Sequence, residues 1–120
     1  MSNFPIIDQE SIENLRSLNP DDGDEFLKEI IGIFLEDTPQ RIAELNTSLA
    51  SQDTVRFIRA AHSIKGSSAN LGALALRAAA EKLEHHSNSV GLTDVTSMIA
   101  EIESQFDLAK DELNRLSSSA

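Results

Sequence analysis

The apolar positions of this chain recur at helical intervals over most of its length. Toward the C-terminus, Leu92, Val95, Ile99, Ile102, Phe106, Ala109, Leu113 and Leu116 are separated by alternating steps of three and four. That is a heptad seam, and it predicts one long helix over about 91–117. Ala73, Leu76, Ala80 and Leu83 repeat the spacing and predict a helix over 73–86. Phe57, Ala61, Ile64, Ser68 and Leu71 predict another over 53–70, with Asp53 as its N-cap. Leu27, Ile30, Ile31 and Phe34 form an apolar face behind the turn-like Asn19-Pro20-Asp21-Asp22-Gly23, and Ile42, Leu45 and Leu49 form a second short seam. Pro39 lies between those two seams. Either Thr38 caps a new helix with Pro39 at its first position, or one helix runs through and kinks. A short leading helix over 8–17 carries Ile12 and Leu15 behind Asp8.

No stretch reads as a strand bounded by turn signals. Shallow 3-4 packing of seams joined by short links predicts an all-α fold, an antiparallel up-down four-helix bundle with one or two additional N-terminal helices. The 120 residues make one domain: helix and turn over 1–23, bundle over 24–117, and a frayed tail over 118–120.

Composition agrees with a helical core. There is no Trp or Tyr and there are five Phe, so the core is aliphatic. Cys is absent, which removes disulfides, thiolate metal sites and cysteine nucleophiles together. Twenty acids against ten bases give a net charge of −10, the wrong sign for nucleic acid or an anionic membrane. With no membrane-length apolar run and no signal-like N-terminus, the expectation is a soluble cytoplasmic monomer, a free protein rather than an excised domain.

Against that background one segment stands apart. Between residues 45 and 80 the only acid is Asp53, while Arg56, Arg59, Lys65 and Arg77 make the window cationic. On a helical wheel His62 falls roughly 130° from the core seam, facing out. Its i+3 and i+4 neighbours are Lys65 and Gly66. Val55, Ile58 and Ala69 share that face, which is unusually apolar for a solvated one. A glycine in mid-helix costs about 1 kcal/mol against alanine, and here it clears the space beside the imidazole. A cationic collar around an exposed histidine suits a phosphoryl group, with its multiple negative charge and acceptor oxygens. Taken singly, each feature is ordinary: an exposed helical histidine is most often plain surface, and a mid-helix glycine most often eases packing. His85 and His86 point about 100° apart and cannot chelate one ion together. They read as the basic end of a helix, and Glu81 and Glu84 as solvated acids.

The constellation as a whole resembles a known family. The run Ala61-His62-Ser63-Ile64-Lys65-Gly66-Ser67-Ser68-Ala69-Asn70-Leu71-Gly72 is similar, without gaps, to the signature of histidine-containing phosphotransfer (Hpt) domains. A weaker likeness spans most of the chain and includes Phe34-Leu35-Glu36-Asp37-Thr38-Pro39. The resemblance implies that His62 accepts the phosphoryl group, that Lys65 assists it and that Gly66 admits the partner. It implies that Glu84, 22 residues beyond the histidine, supports the imidazole or the phosphoryl group. The implied partners are receiver domains of response regulators or hybrid sensor kinases, which would bring the Mg²⁺; this chain would bind no cofactor and no metal. It also implies a phosphotransfer intermediate without autokinase activity, since no nucleotide-binding glycine loop is present. On this reading Arg56 and Arg59 form a charged rim around an apolar docking centre of Val55, Ile58 and Ala69. Two alternatives compete: an adaptor that docks a partner through the same patch without phosphotransfer, and a metal or haem bundle ligated by His62. The second conflicts with the outward phase of His62, because bundle cofactors are held by inward side chains.

Overall fold

A computed structural model describes residues 4–118, with side chains to residue 116. Five helices follow one another: α1 (Gln9–Leu18), α2 (Glu25–Ser51), α3 (Thr54–Leu71), α4 (Leu74–Val90) and α5 (Thr96–Ser118). No strand occurs among the described residues. The last four helices pack in sequence and α2 closes the ring against α5, while α1 lies across α2 and α3. The expected up-down bundle with one added N-terminal helix is therefore the fold observed. The tail expected at 118–120 falls at and beyond the last described residue.

The core is aliphatic, as its composition requires. Leu45, Phe57, Ile64, Leu71, Leu76, Leu83, Ile102 and Leu113 are almost wholly buried. Phe34 and Phe106 meet between α2 and α5 with ring centroids 5.7 Å apart. Small polar residues sit where helices approach closely. Ser68 is fully buried, and its hydroxyl donates to the Ile64 carbonyl at 2.6 Å, so no hydrogen-bonding group is stranded there.

The structure decides the Pro39 alternative in favour of one continuous helix. The buried stripe Phe34, Thr38, Ile42, Leu45 runs through the proline in phase, so both halves gain from one shared axis. Pro39 itself is exposed. Having no N–H, it removes a single hydrogen bond from the helix, a local loss that the shared packing of the two halves outweighs.

Two helix boundaries differ from the sequence expectation. Helix α5 begins at Thr96, not near 91, because Gly91 and Asp94 take positive φ in the preceding turn. Val95 is still buried and its carbonyl accepts the first α5 hydrogen bond, from Ile99 at 2.9 Å. Helix α4 runs to Val90, past the predicted end at 86. His85 and His86 are consequently not at a helix terminus. His86 Nε2 instead lies 2.6 Å from the Thr93 carbonyl oxygen and ties α4 to the turn.

The N-terminal segment is fastened to the α3–α4 reversal. The Asp8 amide donates to the Gly72 carbonyl at 2.8 Å, and the Ala75 amide donates to the Pro5 carbonyl at 3.0 Å. Gly72 has φ +71°, and a Cβ there would lie 2.5 Å from the Ser11 Cβ. Glycine is required at this reversal twice over, by backbone conformation and by space.

Candidate functional site

Helix α3 carries the core on one side and the site on the other. Phe57, Ala60, Ala61, Ile64, Ser68 and Leu71 are buried. His62 emerges on the opposite side, on the flank nearer α4, with its side chain 65% exposed. Its position along the helix is fixed by the buried residues on either side of it, Ala61 and Ile64.

Two side chains complete the group. Glu84 projects from α4 with only 15% of its side chain exposed. Its Oε2 lies 2.9 Å from His62 Nδ1, and its Oε1 lies 2.8 Å from Lys65 Nζ. One carboxylate thus joins the imidazole and the ammonium through its two oxygens. Burial alone would raise the Glu84 carboxyl. The hydrogen bonds from Lys65 and His62, with the charges of those two groups, outweigh burial and hold it below its ordinary value. An ionised carboxylate only accepts hydrogen bonds, so Nδ1 of His62 carries the proton and donates it. In the neutral ring, the Nε2 lone pair is then the one turned away from Glu84. This is the arrangement of an oriented nucleophile: a ring nitrogen with a free lone pair, locked by a bond to its other nitrogen.

Beside the ring the helix surface is open at Gly66, where an added Cβ would meet nothing within 4 Å. His62, Gly66 and Asn70 follow at intervals of four and form one row along the exposed side of α3. Beyond Asn70 lies a groove of about 300 Å³ between α1, α2 and α3, lined by Leu15, Ile30, Ile33, Phe34, Asp37, Ser67, Asn70 and Leu71. Ile33 is 61% exposed.

These features coincide with a known family. The sequence matches the Hpt domain over residues 29–119. The chain belongs to the Hpt family. It is 31% identical over 81 residues to Multistep phosphorelay regulator 1 of Schizosaccharomyces pombe; the match takes in 68% of this chain and 28% of that much longer protein. Among solved structures, histidine-containing phosphotransfer protein B from Pseudomonas aeruginosa PAO1 superposes with a TM-score of 0.84 at 24% identity, covering 92% of this chain and 93% of that one. A histidine-containing phosphotransfer protein from Medicago truncatula gives 0.81 at 20% identity, covering 92% and 76%. At those identities the structures support the fold, while the family match spans most of the chain and most of the bundle.

The other residues singled out in the sequence are distributed unevenly around this Hpt site. Val55, Arg59 and Ala69 are exposed, and Ile58 is half-buried. Arg59 makes no ion pair among the described residues. Arg56 does not stand free as a cationic rim: its Nε lies 3.5 Å from Glu44 Oε2, and Glu44 also pairs with Arg41. Glu84 was legible as a family position but not as a bridge, because the wheel of α3 says nothing of what α4 brings to it. The groove beyond Asn70 went unread, although Ile33 signals it as an apolar residue off the buried stripe of α2. No cluster of three or more metal-ligating side chains occurs among the described residues. No helix among them is long and apolar enough to cross a membrane.

Proposed function

We propose that His62 receives a phosphoryl group on Nε2 from the aspartyl phosphate of a receiver domain and passes it to the aspartate of another. The carrying observation is the contact of Glu84 with Nδ1, which leaves Nε2 as the exposed nucleophile. In the forward step the Nε2 lone pair forms the N–P bond while the acyl phosphate P–O bond breaks, the electron pair leaving on the receiver carboxylate. Mg²⁺ belongs to the receiver, and this chain contributes a rigid, pre-oriented imidazole. It has no autokinase activity of its own. Lys65 offers a cation to the phosphoryl oxygens, and Gly66 lets the receiver's acidic pocket close over the ring.

The docking face extends from His62 along α3 in two directions. One, toward the N-terminus, carries Val55 and Ile58 with Arg59 at the edge. The other leads over Gly66, Ala69 and Asn70 into the groove with Ile33. Buried apolar anchors govern dissociation, and edge charges govern association.

The test is transfer from a labelled, phosphorylated receiver to the full chain. Acid-labile, base-stable label on His62 is the expected result. Binding without label would make the chain an adaptor. Ile58→Asp and Ile33→Asp, measured for receiver affinity and melting temperature, tell which direction the interface takes. Loss of affinity at an unchanged melting temperature marks the contact.

A further inference from the structure

We propose that Glu84 shortens the lifetime of the phosphoryl group on His62, making the site one that passes phosphate on rather than stores it. This rests on the reading of His62 as the phosphorylated residue.

The argument starts from how Glu84 is shared. Its two oxygens contact His62 Nδ1 at 2.9 Å and Lys65 Nζ at 2.8 Å. The cation that would balance an incoming phosphoryl group is therefore already engaged. Lys65 is itself only 25% exposed, so its ammonium is held along the helix surface and not extended into solvent. Once Nε2 is phosphorylated, two anions compete for one lysine. Whatever share Glu84 retains is withheld from the phosphoryl oxygens.

The same carboxylate acts on the other side of the ring. Attack by Nε2 leaves the Nδ1 proton in place, so the phosphorylated ring begins as an imidazolium. The Glu84 carboxylate accepts a hydrogen bond from that N–H at 2.9 Å. In the departure step the N–P bond breaks and its electron pair returns to Nε2. A ring that already carries the Nδ1 proton takes that pair back as a neutral imidazole, a far better leaving group than an imidazolate. The phosphoryl group goes to a receiver carboxylate, forming a P–O bond, or to water with release of a proton. Finally, the carboxylate and the phosphoryl group are like charges on opposite sides of one ring, a repulsion that departure relieves. Competition for Lys65, retention of the Nδ1 proton and like-charge repulsion all act in one direction.

Glu84 is thus a positioning residue that also sets lifetime, and the two roles are separable. Glutamine at this position keeps an oxygen for Nδ1–H and the same length, but removes the charge.

The test uses the full chain labelled by phosphoramidate, a small-molecule phosphoryl donor, then freed of donor and followed at pH 8 by phosphohistidine decay. Glu84→Gln should lengthen the half-life by about three- to tenfold. Glu84→Asp, which restores the charge, should bring it back toward the wild type. In Glu84→Gln, a further Lys65→Ala should take away much of the gain, because the freed lysine is part of its cause. An unchanged or shorter half-life in Glu84→Gln overturns the proposal. So does a Glu84→Gln protein that takes no label, since the carboxylate would then be needed for attack. Failure of the wild type to label at His62 is a different result, and it removes the phosphocarrier assignment beneath the proposal.

Discussion

Among the described residues two histidine–glutamate pairs occur, and they are held in different ways. His85 and Glu81 lie four residues apart on α4, the histidine exposed and the glutamate half-buried, with 3.8 Å between Nε2 and Oε1. His62 and Glu84 come from different helices, meet at 2.9 Å, and the glutamate is largely buried. The first pair is held by one helix surface and competes with water at every moment, so its worth is small. The second is held by the packing of α3 against α4, which fixes both backbones before the side chains meet. It also has a lysine on the second carboxylate oxygen and a glycine beside the ring. Histidine next to glutamate is therefore not itself the chemical signal; rigidity from two elements, a shared cation and open access are what separate the pairs.

The largest expected effect breaks the comparison outright. His62→Gln should abolish labelling by a phosphorylated receiver and leave circular dichroism and melting nearly unchanged, since the side chain faces out. His85→Gln should label like the wild type. Residual label at His85 or His86 in the His62 variant would erase the distinction drawn here.

Next is access. Gly66→Gln places a long side chain one turn from the imidazole and should slow transfer by roughly 10- to 100-fold through misplacement of the partner. Helix propensity favours the new residue, so melting should hold or rise slightly. A variant transferring at the wild-type rate would show that the glycine serves packing.

Acid titration sharpens the comparison of the two glutamates. The folded state holds Glu84 below its ordinary value of 4.5, so its ionised form stabilises the fold above that pH. The stabilisation is lost as pH falls from 4.5 downward through the depressed folded value. The melting difference between wild type and Glu84→Gln should therefore be present near neutrality and shrink below 4.5. Glu81→Gln should change stability near neutrality by about 0.5 kcal/mol or less, as expected of a pair on one helix surface. A melting difference for Glu84→Gln that does not shrink in acid would contradict the reading of its carboxylate.

The smallest effect concerns encounter. Arg59→Ala should lower the association rate with a receiver by roughly two- to fivefold and weaken its salt dependence, with dissociation little changed. Arg56→Ala should do less, because Glu44 already neutralises that guanidinium. Stopped-flow association at two ionic strengths distinguishes them.

The bundle was legible because its buried stripes obey one period. Phe57, Ile64 and Leu71 on α3, and Ile102, Phe106 and Leu113 on α5, are core residues that spacing alone identifies. The same rule overran the start of α5. Val95 lies in phase with the seam and is buried, but periodicity records burial, not hydrogen bonding, and the positive φ at Asp94 is invisible to it. At Pro39 local propensity opposed the helix, and tertiary packing through the buried Thr38 overrode it. The outward phase of His62 and the opening at Gly66 followed from α3 by itself. The Glu84 bridge and the pairing of Arg56 with Glu44 depend on how α4 and α2 are rotated against α3. No single-helix pattern carries that information.

The clasp between the N-terminal segment and the α3–α4 reversal also bears on the order of events during synthesis. Asp8 and Pro5 find their hydrogen-bond partners at Gly72 and Ala75, more than half the chain away. A ribosome releases the leading segment first. The clasp that fastens α1 cannot close until α3 and the glycine after it have emerged. Docking of α1 closes a long loop and so comes late, after the α2–α3 hairpin has paired. Helix α1, which carries Leu15 at the edge of the groove, is then the last wall of that groove to be set in place.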